Sequence, residues 1–120
     1  MANTVRVEKI TSEIQKALSH ILRNEVRDQR VTENFGSLTR IDLTNDLRHA
    51  KIFISVYGSE EAKKDFMSGI ESAQGFIRSE IGRRVRMRYT PELHFKLDNS
   101  LEEGSRILSI LDDLKAKGEF

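Results

Sequence analysis

The sequence predicts a two-layer α+β domain in which helices cover one face of a three-stranded sheet. Two patterns indicate this fold: apolar residues recur at three- and four-residue steps in some segments and alternate with polar residues in three others. In chain order the segments are α-β-β-α-α-β-α. Because there is no internal repeat or linker, we expect a single domain over residues 1–120, with a core over about 5–98 and a C-terminal helix and tail over 99–120.

The first segment is predicted to be an amphipathic helix. Its apolar side carries Val7, Ile10, Ile14, Ala17, Leu18, Ile21 and Leu22. The opposite side, here called the cationic strip, carries Arg6, Lys9, Glu13, Lys16, His20, Arg23 and Arg27. Two interpretations of the strip stay open: a solvated helix face, or a surface that contacts phosphate groups.

Residues 27–37 lack periodicity and contain Asp28 and Gly36, so they are predicted to form a loop. Two strands joined by a short turn at Asn45-Asp46 are then expected to form an antiparallel hairpin. The first strand has Thr39, Ile41 and Leu43 on one face and Leu38, Arg40, Asp42 and Thr44 on the other. The second alternates Ala50, Ile52, Ile54 and Val56 with Lys51, Phe53, Ser55 and Tyr57.

The two faces of this hairpin differ in character. One is aliphatic and needs helices to cover it. The other carries Arg40, Lys51, Phe53 and Tyr57. Aromatic residues beside basic ones on a sheet can stack nucleic-acid bases, although half-buried aromatics are also common in strands. Both interpretations of this face stay open.

Two helices are predicted after the hairpin, with Ser59 as the N-cap of the first. A single apolar stripe runs through both: Ala62, Phe66, Ile70, Ala73, Ile77, Ile81 and Val85. Gly75 lies within this stretch, and a glycine inside a helix costs about 1 kcal/mol relative to alanine. We therefore expect two helices that meet at an interrupted joint, Ala73-Gln74-Gly75.

A concentration of positive charge follows the joint. The arginine segment, residues 78–88, contains Arg78, Arg83, Arg84, Arg86 and Arg88, with Glu80 as its one acid. One or two cations would stabilise the C-terminus of a helix. Five arginines within eleven residues exceed that need and repel one another, so the segment predicts a polyanionic partner such as nucleic acid.

A third strand and a last helix complete the prediction. Thr90-Pro91 ends the helical stretch. The strand then places Leu93, Phe95 and Leu97 inward and His94 and Lys96 outward. The capping box Ser100-Leu101-Glu102-Glu103 starts a helix with Ile107, Leu108, Leu111 and Leu114.

The sequence lacks the residues that several classes of function require. The chain has no cysteine, no apolar run of membrane-spanning length and no phosphate-binding glycine motif, and its first residues lack the apolar stretch expected of a signal peptide. His20, His49 and His94 fall in different segments without metal-ligand spacing. We therefore expect no enzyme, no metal and no cofactor.

Five stretches together resemble the ribosome-binding factor A family, whose fold is a type II KH-like domain. They are Arg6–Ile10, Asn45–Gly58, Ala73–Ile81, Arg86–Phe95 and Asp98–Gly104. Their order and spacing extend the resemblance over about residues 5–114. KH domains usually hold nucleic acid with a GXXG loop between two helices. The family has an Ala-x-Gly kink at that place, matched here by Ala73, Gln74 and Gly75.

The resemblance implies a non-catalytic factor of ribosome biogenesis that acts in late maturation of the small (30S) subunit, including 5′-end processing of its rRNA, and in the cold. It implies that the chain binds the free subunit near the 5′-terminal helix of the rRNA and the decoding region. We expect a monomer in the cytoplasm or in the corresponding compartment of an organelle.

The arginine segment, the first helix and the joint together define the candidate site. The predicted RNA-binding residues are Arg78, Arg83, Arg84, Arg86, Arg88, Arg6, Lys9, Lys16 and Arg23. The joint Ala73–Gly75 is predicted to set the angle between the helices that present them. Because phosphate contacts position a protein without specifying sequence, we expect recognition of rRNA shape. The alternative is a protein–protein adaptor whose basic face binds an acidic partner.

Overall fold

A computed structural model of the protein describes residues 2–99, and their side chains from residue 5 onward. The helices are α1 (Ala2–Asn24), α2 (Gln29–Thr32), α3 (Glu60–Ser72) and α4 (Gln74–Arg84). The strands are β1 (Phe35–Leu43), β2 (His49–Tyr57) and β3 (Glu92–Leu97). The predicted last helix, from Ser100 onward, lies outside the described residues. None of the helices within 2–99 has both the length and the apolar character that crossing a bilayer requires.

The three strands form one sheet in the order β1-β2-β3. β1 and β2 pair antiparallel, as the hairpin prediction requires, whereas β2 and β3 pair parallel. A parallel pair needs a long crossover, and α3 with α4 supplies it. In the register, Ile52 of the central strand faces Ile41 on one side and Phe95 on the other. The α+β prediction is confirmed.

The core lies between the aliphatic sheet face and the helices. The residues with no exposed surface include Ile14, Leu18, Ile21, Ile52, Ile54, Ile70, Ile77 and Ile81. All of them belong to the apolar series predicted for their segments, and each buried aliphatic side chain contributes about 1.5–3 kcal/mol. The sheet face that carries Lys51, Phe53 and Tyr57 is only partly covered, because these side chains range from half-buried to exposed.

Residues 27–37 are not the continuous loop that the sequence predicted. They contain α2, and β1 already begins at Phe35. The Asp28 carboxylate accepts a hydrogen bond from the backbone N–H of Arg30 at 2.9 Å and caps the helix, while Val31 enters the core. The prediction was wrong because a helix of four residues is too short to show a period.

The predicted faces of the first strand were also wrong at one position. The register of β1 against β2 shifts between Leu38 and Arg40, which marks a β-bulge. A bulge adds one residue to its strand, so side chains on either side of it change faces. Leu38, predicted on the polar face, consequently packs against the core together with Ile41.

The helix joint is present where the sequence predicted it. α3 ends at Ser72, α4 begins at Gln74, and the backbone N–H of Ala73 is shared between the carbonyls of Gly69 (3.0 Å) and Ile70 (3.1 Å). The Gln74 side chain donates a hydrogen bond to the Leu93 carbonyl at 2.6 Å, which ties the joint to β3. A Cβ atom added at Gly75 would meet no other atom within 4 Å. Close packing within the described chain therefore does not require a glycine there.

Candidate nucleic-acid interface

Two of the five arginines in the arginine segment hold the fold together. Arg78 donates hydrogen bonds to the carbonyl oxygens of Pro91 (Nε, 3.1 Å) and Thr90 (Nη2, 2.8 Å), so it fastens the loop after α4 to that helix. Arg84 bonds to Glu80 at 3.2 Å and to Glu25, the residue after α1. These contacts explain two of the charges that the sequence assigned to an anionic partner.

Glu25 and Arg84, which link the end of α1 to α4, favour each other's charged form. The hydrogen bond from Arg84 lowers the pKa of the Glu25 carboxyl, and the same bond raises the pKa of Arg84. Arg83 bonds to Glu80 at 2.8 Å, yet its side chain remains 73% exposed. Arg83 therefore still presents charge to solvent, whereas most of Arg84 is covered.

Arg88 lies in a cluster that the sequence did not predict. The tyrosine cluster, as we call it, consists of Arg6, Arg48, Arg88 and Tyr89, which line one cleft of about 230 Å³. The guanidinium carbons of Arg48 and Arg88 lie 5.5 Å and 5.6 Å from the centre of the Tyr89 ring, within cation–π range. Tyr89 is 59% exposed. Three distant segments of the chain thus bring three arginines to one cleft, and two of them lie over its accessible aromatic ring.

The turn between β1 and β2 holds Arg48 in this cluster. The Asp46 carboxylate accepts hydrogen bonds from the Thr44 hydroxyl at 2.6 Å and from the backbone N–H of Arg48 at 3.1 Å. These bonds, that of Thr44 first, lower the pKa of the Asp46 carboxyl. Leu47, which lies between Asp46 and Arg48, adopts a left-handed φ of 63°. The turn is therefore well ordered by its own contacts before any partner binds.

The remaining predicted cations point into solvent. Within the described residues, Lys9, Lys16, Arg23 and Arg86 are exposed and make no side-chain hydrogen bond or ion pair. Arg6 and Arg23 lie about 25 Å apart along α1, at 1.5 Å per residue. Arg23 lines a different cleft, beside Phe35 and Phe66. The predicted residues that present charge to solvent are therefore spread along α1 and over residues 83–88, and two of them, Arg6 and Arg88, lie in the tyrosine cluster.

The predicted stacking face divides into two parts. The Arg40 guanidinium lies 4.2 Å from the centre of the Phe53 ring and covers it. Tyr57 is 83% exposed, and its cross-strand partner Phe35, which was predicted to be in a loop, is 80% exposed. An accessible aromatic pair is thus present at one end of the hairpin, and base stacking on it stays a prediction.

Sequence spacing was misleading for two of the three histidines. The Nδ1 atom of His49 lies 3.1 Å from Nε2 of His94 and 3.7 Å from a carboxylate oxygen of Glu92. The three ligand atoms form a group that could hold a metal ion, although the sequence positions of these histidines show no metal-ligand spacing. The parallel pairing of β2 with β3 brings them together, and nothing in the spacing of residues 49 and 94 indicates that pairing.

A family model described as ribosome-binding factor A matches residues 6–111. The chain belongs to the ribosome-binding factor A family. The ribosome-binding factor A of Acetivibrio thermocellus is 47% identical over 114 residues, which cover 95% of this chain and 92% of that protein. This agrees with the resemblance identified from the five sequence stretches.

Two solved structures have the same fold. The solution NMR structure of a Thermotoga maritima protein is 33% identical, with a TM-score of 0.67, and the match covers 76% of this chain and 85% of that one. Ribosome-binding factor A of Thermus thermophilus, fitted as a homology model into a cryo-EM map of its complex with the 30S subunit, is 21% identical. Its TM-score is 0.61, over 76% of this chain and 93% of that one.

Proposed function

We propose that this member of the family binds the free small ribosomal subunit and acts in its late maturation, without catalysing a reaction. The proposal includes 5′-end processing of the rRNA, importance for growth in the cold, and binding near the 5′-terminal helix and the decoding region. Family membership and the 30S complex of the Thermus relative support it. We further propose that residues 1–120 act as one KH-like domain, monomeric and cytoplasmic.

The single observation that carries the proposal is the tyrosine cluster. Arg48 and Arg88 lie over the exposed Tyr89 ring, Arg6 lines the same cleft, and none of the three forms an ion pair with another described residue. Guanidinium groups bind phosphate oxygens through paired N–H donors, and an aromatic ring can stack an unpaired base. The cluster can therefore hold a backbone phosphate and a base of the same RNA segment.

The nine predicted residues contribute unequally in this proposal. Six of them contact rRNA phosphates directly: Arg86, Arg88, Arg6, Lys9, Lys16 and Arg23. Arg83 also contacts phosphate, but Glu80 already balances part of its charge. Arg78 and Arg84 act mainly by fixing the loop and the α1–α4 contact. The joint Ala73–Gly75 sets the direction of α4 and thereby the position of this surface relative to α3.

The test is binding to purified 30S subunits over a series of salt concentrations, comparing the wild type with Arg88→Glu. The matched control is Lys64→Glu, which makes the same change of charge at an exposed position on α3. We expect Arg88→Glu to bind at least tenfold more weakly and to reduce the salt dependence, by about 0.7–0.9 for each phosphate that the variant no longer neutralises. Lys64→Glu should retain both the affinity and the salt dependence of the wild type.

Each other outcome has a definite meaning. If the two variants weaken binding equally, long-range charge and not the tyrosine cluster determines affinity. If Arg88→Glu binds like the wild type, the RNA surface lies elsewhere. If the wild type does not bind 30S subunits at all, the proposed function fails for this chain and the adaptor alternative gains support.

A further inference from the structure

Three side chains with metal-ligating atoms meet on the sheet face opposite the helices. His49 begins β2, Glu92 begins β3, and the two are direct partners in the parallel register. His94 follows Glu92 by two residues, and side chains two apart in a strand lie on the same face. All three residues are exposed, so an ion can reach them from solvent.

The two distances from His49 to the other ligand atoms are close to those of a tetrahedral metal centre. Two ligands at about 2.0–2.1 Å from a Zn²⁺ ion in tetrahedral geometry lie about 3.3–3.4 Å from each other. Here Nδ1 of His49 is 3.1 Å from Nε2 of His94 and 3.7 Å from Oε2 of Glu92. All three atoms lie within 4.8 Å of one another. The two distances from His49 differ from the tetrahedral value by a few tenths of an ångström, and rotation of the exposed Glu92 and His94 side chains can adjust the third.

The backbone around the ligands is held in place without the ion. The backbone N–H of His49 donates to the Thr44 hydroxyl at 3.1 Å, and the His49 carbonyl accepts from the backbone N–H of Thr44 at 2.9 Å. The backbone N–H of Glu92 donates to the Arg48 carbonyl at 2.8 Å. Both strand ends that carry ligands are therefore fixed, and a site on fixed strands loses less entropy when it binds.

The two imidazoles already face each other through nitrogen atoms. Their ring centroids lie 5.3 Å apart with the planes inclined at 29°, and a hydrogen bond at 3.1 Å requires a proton on one nitrogen and a lone pair on the other. When the donor ring carries its proton on its other nitrogen, both facing nitrogens have a free lone pair. A metal ion can then replace the shared proton without rearrangement of the backbone.

We propose that His49, His94 and Glu92 bind a divalent transition-metal ion of the zinc class. Two imidazole nitrogens and one carboxylate oxygen suit zinc, cobalt, nickel or copper, whereas calcium and magnesium prefer sites made of oxygen ligands. Three protein ligands leave one tetrahedral position, which water would fill. The proposal stands on the geometry alone and does not depend on ribosome binding.

The charges around the site limit its affinity. The adjoining open cleft, of about 480 Å³, is lined by the acidic Asp42 and by Lys51 and Lys96, together with both histidines. The lysines repel a dication, and the exposed ligands are surrounded by high-dielectric solvent. We therefore expect binding that is reversible and readily removed by a chelator, unlike a structural zinc site.

The experiment titrates tag-free protein with CoCl₂, follows the visible absorption of the bound cobalt, and then displaces it with ZnCl₂. We expect His49→Ala and His94→Ala each to weaken binding at least tenfold, and Glu92→Gln to weaken it several-fold. His20→Ala is the matched control. His20 is another exposed histidine near a carboxylate, with Nε2 3.9 Å from Glu25, but its ring contacts no second imidazole among the described residues.

Three results of this titration would contradict the proposed metal site. The proposal is overturned if the wild type shows no cobalt absorption and no competition by zinc, or if the variant with both His49→Ala and His94→Ala binds as tightly as the wild type. It is also overturned if His20→Ala removes the signal. Far-UV circular dichroism of each variant, expected to match the wild type because the replaced side chains are exposed, excludes loss of fold as the cause.

Discussion

Two glycines in the crossover helices should respond oppositely to the same substitution. Gly75 is exposed at the start of α4, and an added Cβ there would meet nothing within 4 Å. Gly69 is buried near the end of α3, and an added Cβ would lie 2.7 Å from Cγ2 of Val31 and 3.2 Å from Cβ of Arg30. The protein should therefore tolerate alanine at position 75 and be destabilised by alanine at position 69.

The expected magnitudes follow from these surroundings. Gly75→Ala should raise the free energy of unfolding by about 0.5–1 kcal/mol, because alanine costs less conformational entropy in a helix. Gly69→Ala should gain the same helix stability, but the added methyl group would be too close to Val31. The Val31 side chain is itself buried and cannot move away. Overpacking costs about 1–3 kcal/mol. The two variants should differ by about 2 kcal/mol, with Gly69→Ala the less stable.

Urea denaturation at equilibrium measures both variants, and a change of midpoint at constant slope reports stability alone. If Gly75→Ala destabilises the protein by about 1 kcal/mol or more, the joint does require the glycine and our reasoning on α4 is refuted. If Gly69→Ala is as stable as Gly75→Ala, Gly69 of α3 does not lie as close to Val31 of α2 as described above. Binding of Gly75→Ala to 30S subunits adds a second readout, since weaker binding at unchanged stability would assign the glycine to the interface.

Two further predictions concern the core and the response to acid. Ile52→Ala, at the fully buried centre of the sheet, should lower the free energy of unfolding by about 2–5 kcal/mol in urea titrations, whereas Val5→Ala, at an exposed position, should have little effect. The hydrogen bonds from Arg30 lower the pKa of Asp28 from 3.8 to about 2. The stability that this carboxylate contributes is therefore present above about pH 4 and lost as the pH falls toward 2, so Asp28→Asn should flatten that part of the pH–stability curve.

The fold was predictable where periodicity extends over enough residues. The series in α1, in β2 and across α3 and α4 identified Ile14, Ile52 and Ile77 as core residues, and each has no exposed surface. Prediction failed where a helix spans little more than one turn, so that no residue pattern can repeat within it, as in α2, and where a bulge interrupts the alternation, as at Leu38. Neither feature leaves a pattern in local composition.

The candidate site was less predictable because its geometry depends on contacts between distant segments. Charge density identified the arginine segment correctly as a basic stretch, but it could not show that Arg78 binds two backbone carbonyls or that Arg84 pairs with Glu25. Arg48 and Tyr89 were missed for the same reason. The one local signal for Tyr89 was an aromatic residue directly after Arg88, in a loop where no core position is expected.

The parallel pairing of β2 with β3 has a consequence for the order in which the sheet forms while the chain is being synthesised. β1 and β2 are adjacent in sequence and can pair as soon as both have left the ribosome that makes them, whereas His49 and His94 are 45 residues apart. Contacts of high sequence separation form late, after the entropy of closing the intervening loop has been overcome. Until β3 docks, one edge of β2 is open to pairing with other chains. The distance between these two imidazoles would therefore report the last closing step of the sheet in a nascent protein.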